Sequence, residues 1–155
     1  RLKIIFVIIR DVPEHSLIVA CACGLVERID NLLKAIGDYL VDHKGEKSKV
    51  KVFKNADGSY TAQVFWVQNR TEKDGSVRKD AKNPDKSLRN VDCDKIVIFK
   101  GLKYDTSAKV WSGANIYDPV RGINASLKAW FSDSKTLSLK GSKMGFSETV
   151  TWTRL

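Results

Sequence analysis

The chain has 155 residues, 43% of them apolar, and carries 27 Lys and Arg against 18 Asp and Glu, a formal charge of +9. That length suits one domain able to bury about two thirds of its unfolded surface, and a mean hydropathy of −0.27 argues against both a bilayer-spanning helical protein and a fully disordered one. Cys21, Cys23 and Cys93 give neither a disulfide framework nor zinc spacing, and His15 and His43 lack a second ligand at helix or strand spacing, so no metal and no cofactor is expected.

Residues 1–29 read as a separate segment. "RLKIIFVII" has the basic start and apolar run of a secretory signal, and "LIVACACG" comes after it with small residues at Ala20 and Ala22, yet "RDVPEH" stands between them, which no ordinary signal core contains. A degraded signal would make Ala20-Cys21-Ala22 a cleavage site, "IVAC" resembles a lipobox that would acylate Cys21, and an ordinary N-terminal extension stays open. Export is the expectation. The segment holds four bases against three acids, which leaves +8 on residues 30–155, the single folded domain expected here.

Leu25, Ile29, Leu32, Leu33 and Ile36 recur at three- and four-residue steps and predict a short amphipathic helix packed across one end of the remaining domain. The period then falls to two. Strands are predicted over 35–42 and 46–53, in "SYTAQVFWV" after a tight turn at Asp57-Gly58, and over 94–99, 114–118, 122–131, 135–141 and 147–155. Within 46–53, Lys47, Lys49 and Lys51 share one face and Val50 and Val52 the other, so the lysines read as a solvated, aggregation-blocking row rather than a phosphate track. Eight short strands without a long internal helix predict an all-β fold, an antiparallel sheet closed into a barrel or a sandwich. Residues 68–92 are polar except for Val77, Ala81, Leu88 and Val91, which makes them a solvated or a functional loop. In it Asn83-Pro84 starts a turn, Leu88 is placed to anchor the segment, and Arg89 to pair with a carboxylate.

"DAKNPDKSLRN", "IYDPVRGI", "LKGSKMG" and the closing "ETVTWTRL", in that order, resemble the bacterial family known as domain of unknown function 2147, over about residues 36–155. Its Bacteroidetes-type members are similar through "GEKSKVKVFKNADGSYTAQVFWV" as well. The resemblance implies a secreted or periplasmic protein with a lipocalin-like, eight-stranded, up-and-down barrel and a cavity, and no established activity. Lipocalin-like barrels commonly open with Gly-x-Trp and close with an arginine laid across that ring. Gly37-Asp38-Tyr39 stands in the first place with tyrosine for tryptophan, and Arg154 in the second, so these positions read as a structural lock.

"WSGANIYDPVRGINASLKAW", residues 111–130, is the densest stretch. Asp118 and Pro119 start a turn and Gly122 supplies a positive φ to end it, so part of the stretch builds a corner. Alternation puts Ile123, Ala125, Leu127, Ala129 and Phe131 inside, where two alanines leave space under a rim of Tyr117, Asp118 and Arg121. Asp118 either serves that pocket or pairs with Arg121 or Arg89 to pin the corner. Trp111 and Tyr117 are read as core or as ligand contacts, and so are Trp66, at a strand end beside the long loop, and Trp152, which alternates with Val150 and Arg154. Candidate ligand contacts are thus Trp66, Asn83, Arg89, Trp111, Tyr117, Asp118, Arg121 and Trp152. Met144 is placed to flex at a barrel mouth.

A monomeric binding module is expected, holding a small, partly apolar molecule in the barrel, with the arginines suiting an acidic one. The alternative is an envelope protein whose basic surface meets anionic lipid or polysaccharide, a role that acylation of Cys21 would favour. No Ser/His/Asp set, paired carboxylates or metal cluster can be read, so no enzyme is expected. Nucleic acid is not an expected partner, because the aromatics fall on core faces and the bases are interspersed with acids.

Overall fold

The computed structural model describes residues 30 and 32–155, and the chain divides into two compact units, Arg1–Leu33 and Lys34–Leu155. Of the first unit only residues 30, 32 and 33 are described, in helical backbone. The signal-like stretches, the lipobox at Cys21 and most of the anticipated helix lie outside the described residues.

The second unit is a ring of antiparallel strands: β1 (Gly37–His43), β2 (Glu46–Lys54), β3 (Tyr60–Val67), β4 (Val97–Asp105), β5 (Val110–Asp118), β6 (Ile123–Phe131), β7 (Thr136–Lys143) and β8 (Phe146–Arg154). Each strand pairs with its neighbours in sequence and β1 closes on β8, so the sheet is an up-and-down barrel and not a sandwich. Period-two alternation decides which side chains enter. On β6, Leu127 and Ala129 are buried while Asn124, Ser126 and Lys128 are exposed, and on β2 Val50 and Val52 are buried while Lys47 and Lys51 stand in water.

Bulges interrupt that alternation. The strand predicted at 94–99 begins at Val97, after a 3-10 turn over Cys93–Lys95, and runs on through Gly101 to Asp105. The strand predicted at 114–118 begins at Val110 and passes through Gly113. Gly101 and Gly113 have φ of 80° and 83°. Register shifts lie nearby, between Tyr60 and Thr61 on the partner of β4 and between Trp111 and Ala114 on β5. A glycine that punctuates a turn in sequence here absorbs an extra residue inside a strand. In β3 the register with β2 shifts between Lys49 and Val50, so that Val50 faces Val64 but Lys49 faces Trp66.

One half of the barrel is filled by aromatic rings. Trp111 packs against Tyr60, Tyr104 and Phe131 at 6.5, 4.7 and 5.7 Å between ring centroids, contacts that contribute about 0.5–1.5 kcal/mol each beyond area burial. Ala129 lies opposite Trp111 in the β5–β6 register, so the room left by that alanine is taken by the indole side of the barrel. The guanidinium of Arg154 lies over the Tyr39 ring at 5.6 Å and donates to the Ile36 carbonyl at 2.7 Å, to the Tyr39 hydroxyl at 3.2 Å and to the Lys34 carbonyl. Tyr39 in turn donates to the Ala35 carbonyl at 2.9 Å. Gly37 lets the arginine approach, since a Cβ there would stand 3.3 Å from its Nη2. The end of β8 is thereby fastened to the start of β1.

Candidate functional site

The β1–β2, β5–β6 and β7–β8 turns and the 68–92 loop gather at the other end of the barrel, around a cavity of about 640 Å³. That volume falls inside the range of small-molecule sites. Val50, Val64, Ile98, Leu139 and Val150 form aliphatic walls, and Trp152, stacked on Phe99 at 6.0 Å and 13°, lies beneath them. On one side the wall is made of small residues, Ala125 and Gly141. A Cβ on Gly141 would stand 3.3 Å from Ile116 Cγ2 and 3.4 Å from Ala125 Cβ, closer than ordinary contact, so glycine is what lets β7 pack against these two side chains.

The rim is charged and largely self-paired. Arg121 Nε binds Asp118 Oδ2 at 2.5 Å and its Nη2 reaches Glu148 Oε2 at 2.6 Å, which ties the β5–β6 corner to β8. Across the opening Arg78 pairs with Glu46 at 2.5 Å. Asp118 also accepts the Val120 and Arg121 amides, and the Gly122 amide donates to the Asp118 carbonyl at 2.8 Å. Burial would push the Asp118 carboxyl up, but the Arg121 guanidinium and these amides outweigh it and hold the group below the usual aspartate range. Gly122 has φ 69°, and a Cβ there would lie 2.3 Å from the Lys82 carbonyl oxygen. The corner thus needs glycine twice, for its dihedral and for the loop pressed against it.

The long loop is folded rather than merely solvated. Bridges join Thr71 to Val77 and Lys79 to Asp92, and a 3-10 turn over Lys86–Leu88 is capped by Asp85. Its anchor is Asp80, only 3% exposed, which accepts the Tyr117 hydroxyl at 2.6 Å and the Asn83 amide at 2.7 Å. Burial first, and then the negative Asp80 beside it, raise the Tyr117 phenol well above its ordinary value. Leu88, anticipated as the anchor, is 45% exposed. A buried carboxylate meeting a phenol does the holding instead.

Of the predicted contacts, Tyr117, Asp118, Arg121 and Trp152 line the cavity, with Pro119 beside them. The other four do not. Trp66 stands on the outer surface under the ammonium of Lys49, because the β3 bulge reverses the alternation and turns Val67 inward in its place. Trp111 belongs to the aromatic half. Asn83 and Arg89 hold the loop: Asn83 accepts the Asp85 amide, and Arg89 donates to the Asn83 carbonyl at 2.8 Å rather than to a carboxylate. Sequence reasoning missed Glu46, Arg78, Asp80, Cys93 and Glu148, all at the cavity or its rim. For Asp80 a signal existed, since it opens the motif "DAKNPDKSLRN"; for the others nothing in spacing distinguishes them. Cys93 is a free, buried thiol, raised by burial and by the neighbouring Asp94. Among the described residues no three His, Cys, Asp or Glu gather as a metal site.

The family described as an uncharacterized protein conserved in bacteria, DUF2147, matches residues 37–154. No curated protein matches the chain. A solved structure, described as protein HP1028 from the human pathogen Helicobacter pylori and as belonging to the lipocalin family, is similar with a TM-score of 0.60 and 25% identity, over 78% of this chain and 82% of that one.

Proposed function

The chain belongs to the DUF2147 family and has a lipocalin-like barrel, and from that premise we propose that it binds a small, partly apolar molecule inside the barrel. One observation carries the reading: the interior is divided, with aromatic rings filling one half and about 640 Å³ of open, mostly aliphatic space left in the other. An eight-stranded barrel can be packed solid by its own side chains; here Ala125 lines the open half with only a methyl group. The apolar body of the ligand lies against Trp152 and the valine and leucine walls, and its polar end meets the rim. An acidic end suits that rim, because Lys47 and Lys143 line it without a carboxylate partner among the described residues. The role is that of a monomeric binding protein of the periplasm or medium. The signal-like character of residues 1–29 supports export, and no reaction is assigned.

A second reading, an envelope protein that meets anionic lipid or polysaccharide through its surface charge, draws support from the outward lysines of β2 and the net +9. Salt separates the two, since surface association weakens steeply with ionic strength and binding in the cavity much less. The direct test is native mass spectrometry of protein purified from its own source, set against the same sample denatured. A reproducible extra mass lost on unfolding supports the cavity. No extra mass, together with no uptake of a fluorescent apolar probe such as N-phenyl-1-naphthylamine, sinks it.

A further inference from the structure

The β7–β8 hairpin carries the two most exposed large apolar side chains among the described residues, Met144 at 88% and Phe146 at 83%. Phe146 and the adjoining Lys143 stand at the cavity mouth. The hairpin projects beyond the rest of the rim for a reason visible in the register. β8 pairs with β1 only through Trp152, Thr153 and Arg154, while Phe146–Thr151 pair with β7 alone, and by that register Phe146–Thr149 lie beyond the end of β1 at His43. Val120, half exposed, tops the neighbouring β5–β6 corner. Three apolar tips on two adjacent hairpins are thus held clear of the barrel.

Around them, lysines without an ion pair outnumber carboxylates without one. Among the described residues Lys44, Lys47 and Lys143 have no carboxylate partner, and Lys82 is bonded to the Val120 carbonyl. Of the acids on the same rim, Glu46 is paired with Arg78 and Asp118 and Glu148 with Arg121, while Asp42, which accepts the Gly45 amide, and Glu72 have no ion-pair partner among the described residues and are outnumbered by the four lysines. Apolar tips ringed by unpaired lysines fit a surface that offers anionic headgroups above hydrocarbon. A second copy fits less well, since two such mouths face to face would set lysine against lysine. We propose that the mouth of the barrel is a docking surface for an anionic phospholipid bilayer. Met144, Phe146 and Val120 enter the headgroup region, and Lys44, Lys47 and Lys143 meet the phosphates. The proposal rests on the second reading above, to which it gives a place and one occupant, and it shares Lys47 and Lys143 with the cavity rim without depending on what fills the cavity.

Co-sedimentation of the intact chain with vesicles tests it. Wild type is expected on phosphatidylglycerol/phosphatidylcholine vesicles, and more weakly on phosphatidylcholine alone. The double variant Met144→Asn, Phe146→Ser should lower the partition coefficient by about tenfold or more, and Lys143→Glu by about fivefold on the anionic vesicles only. Asparagine suits the positive φ of residue 144, and an unchanged melting temperature shows that the fold is kept. Phe65→Thr, on the outer barrel surface, serves as the control and should leave partition unchanged. The proposal is overturned if wild type ignores both vesicles, if the double variant binds as well as wild type, if Phe65→Thr loses as much as the tip variant, or if the chain prefers an anionic polysaccharide resin. Probe uptake measured without vesicles reports on the cavity separately, so failure of one leaves the other readable.

Discussion

Arg154 shows how much of the closure rests on single side chains. Its guanidinium satisfies two backbone carbonyls and a tyrosine hydroxyl and covers an aromatic ring. Arg154→Ala leaves those acceptors without a donor and should cost about 2–4 kcal/mol in urea unfolding, with Arg154→Lys intermediate because an ammonium lacks the planar fork. Asp118 is a second residue with a measurable signature. Its folded pKa lies below the unfolded value, so its contribution is complete above that unfolded value, near 3.9, and fades as pH falls through the folded one. Between pH 7 and pH 3 the wild-type urea midpoint should therefore drop further than that of Asp118→Asn. Equal slopes would mean that Arg121 stabilises nothing through this carboxylate. The turn residues around Asp118 were legible from sequence, because proline, glycine and aspartate impose their geometry locally. The choice of Arg121 over Arg89 as partner was not, since both lie within reach on paper and only the path of the 68–92 loop separates them.

The elements differ in how far local pattern fixes them. β2 and β6 keep strict alternation and their faces could be read directly, whereas β3, β4 and β5 each carry a bulge that shifts the parity beyond it. Trp66 is the clearest casualty. Counted by twos from Tyr60 it points inward, and the extra residue in β3 turns it out. The long loop shows the opposite case, a segment with almost no apolar signal that is nevertheless tied down by Asp80, Asn83 and Tyr117. Tyr117→Phe removes the hydroxyl from a buried carboxylate and should cost about 1–3 kcal/mol. Tryptic cleavage within residues 68–92 should quicken by more than the global loss explains. The phenol adds a pH signature of its own. Its raised folded pKa means that its contribution is complete below the unfolded value, near 10, and is lost as pH climbs through the folded one; Tyr117→Phe should lessen the alkaline decline in stability, to which Tyr39 and Tyr60, also raised by burial, contribute. An unchanged cleavage rate would show that the loop is held by something other than this pair.

For the molecule as a whole, the cavity is the property to test. Ala125→Phe projects a ring into the open half and should abolish uptake of an apolar probe while moving the melting temperature only a few degrees, since the ring enters space that is already vacant. Full binding by this variant would place the ligand elsewhere. The strand count, the antiparallel class and the inward row on β6 were legible in the chain alone, because alternation and turn residues are local signals, and the lock of Tyr39 with Arg154 was legible through the likeness to lipocalin-like barrels. Alternation left barrel and sandwich open and only the family resemblance pointed to the barrel that the strand pairing shows; that Trp111 packs the filled half while Trp152 underlies the open one, and that Asp80, far away in sequence, meets Tyr117, came from the folded structure. Those outcomes depend on register, bulges and volume, which are set by the partner strand and not by the strand itself.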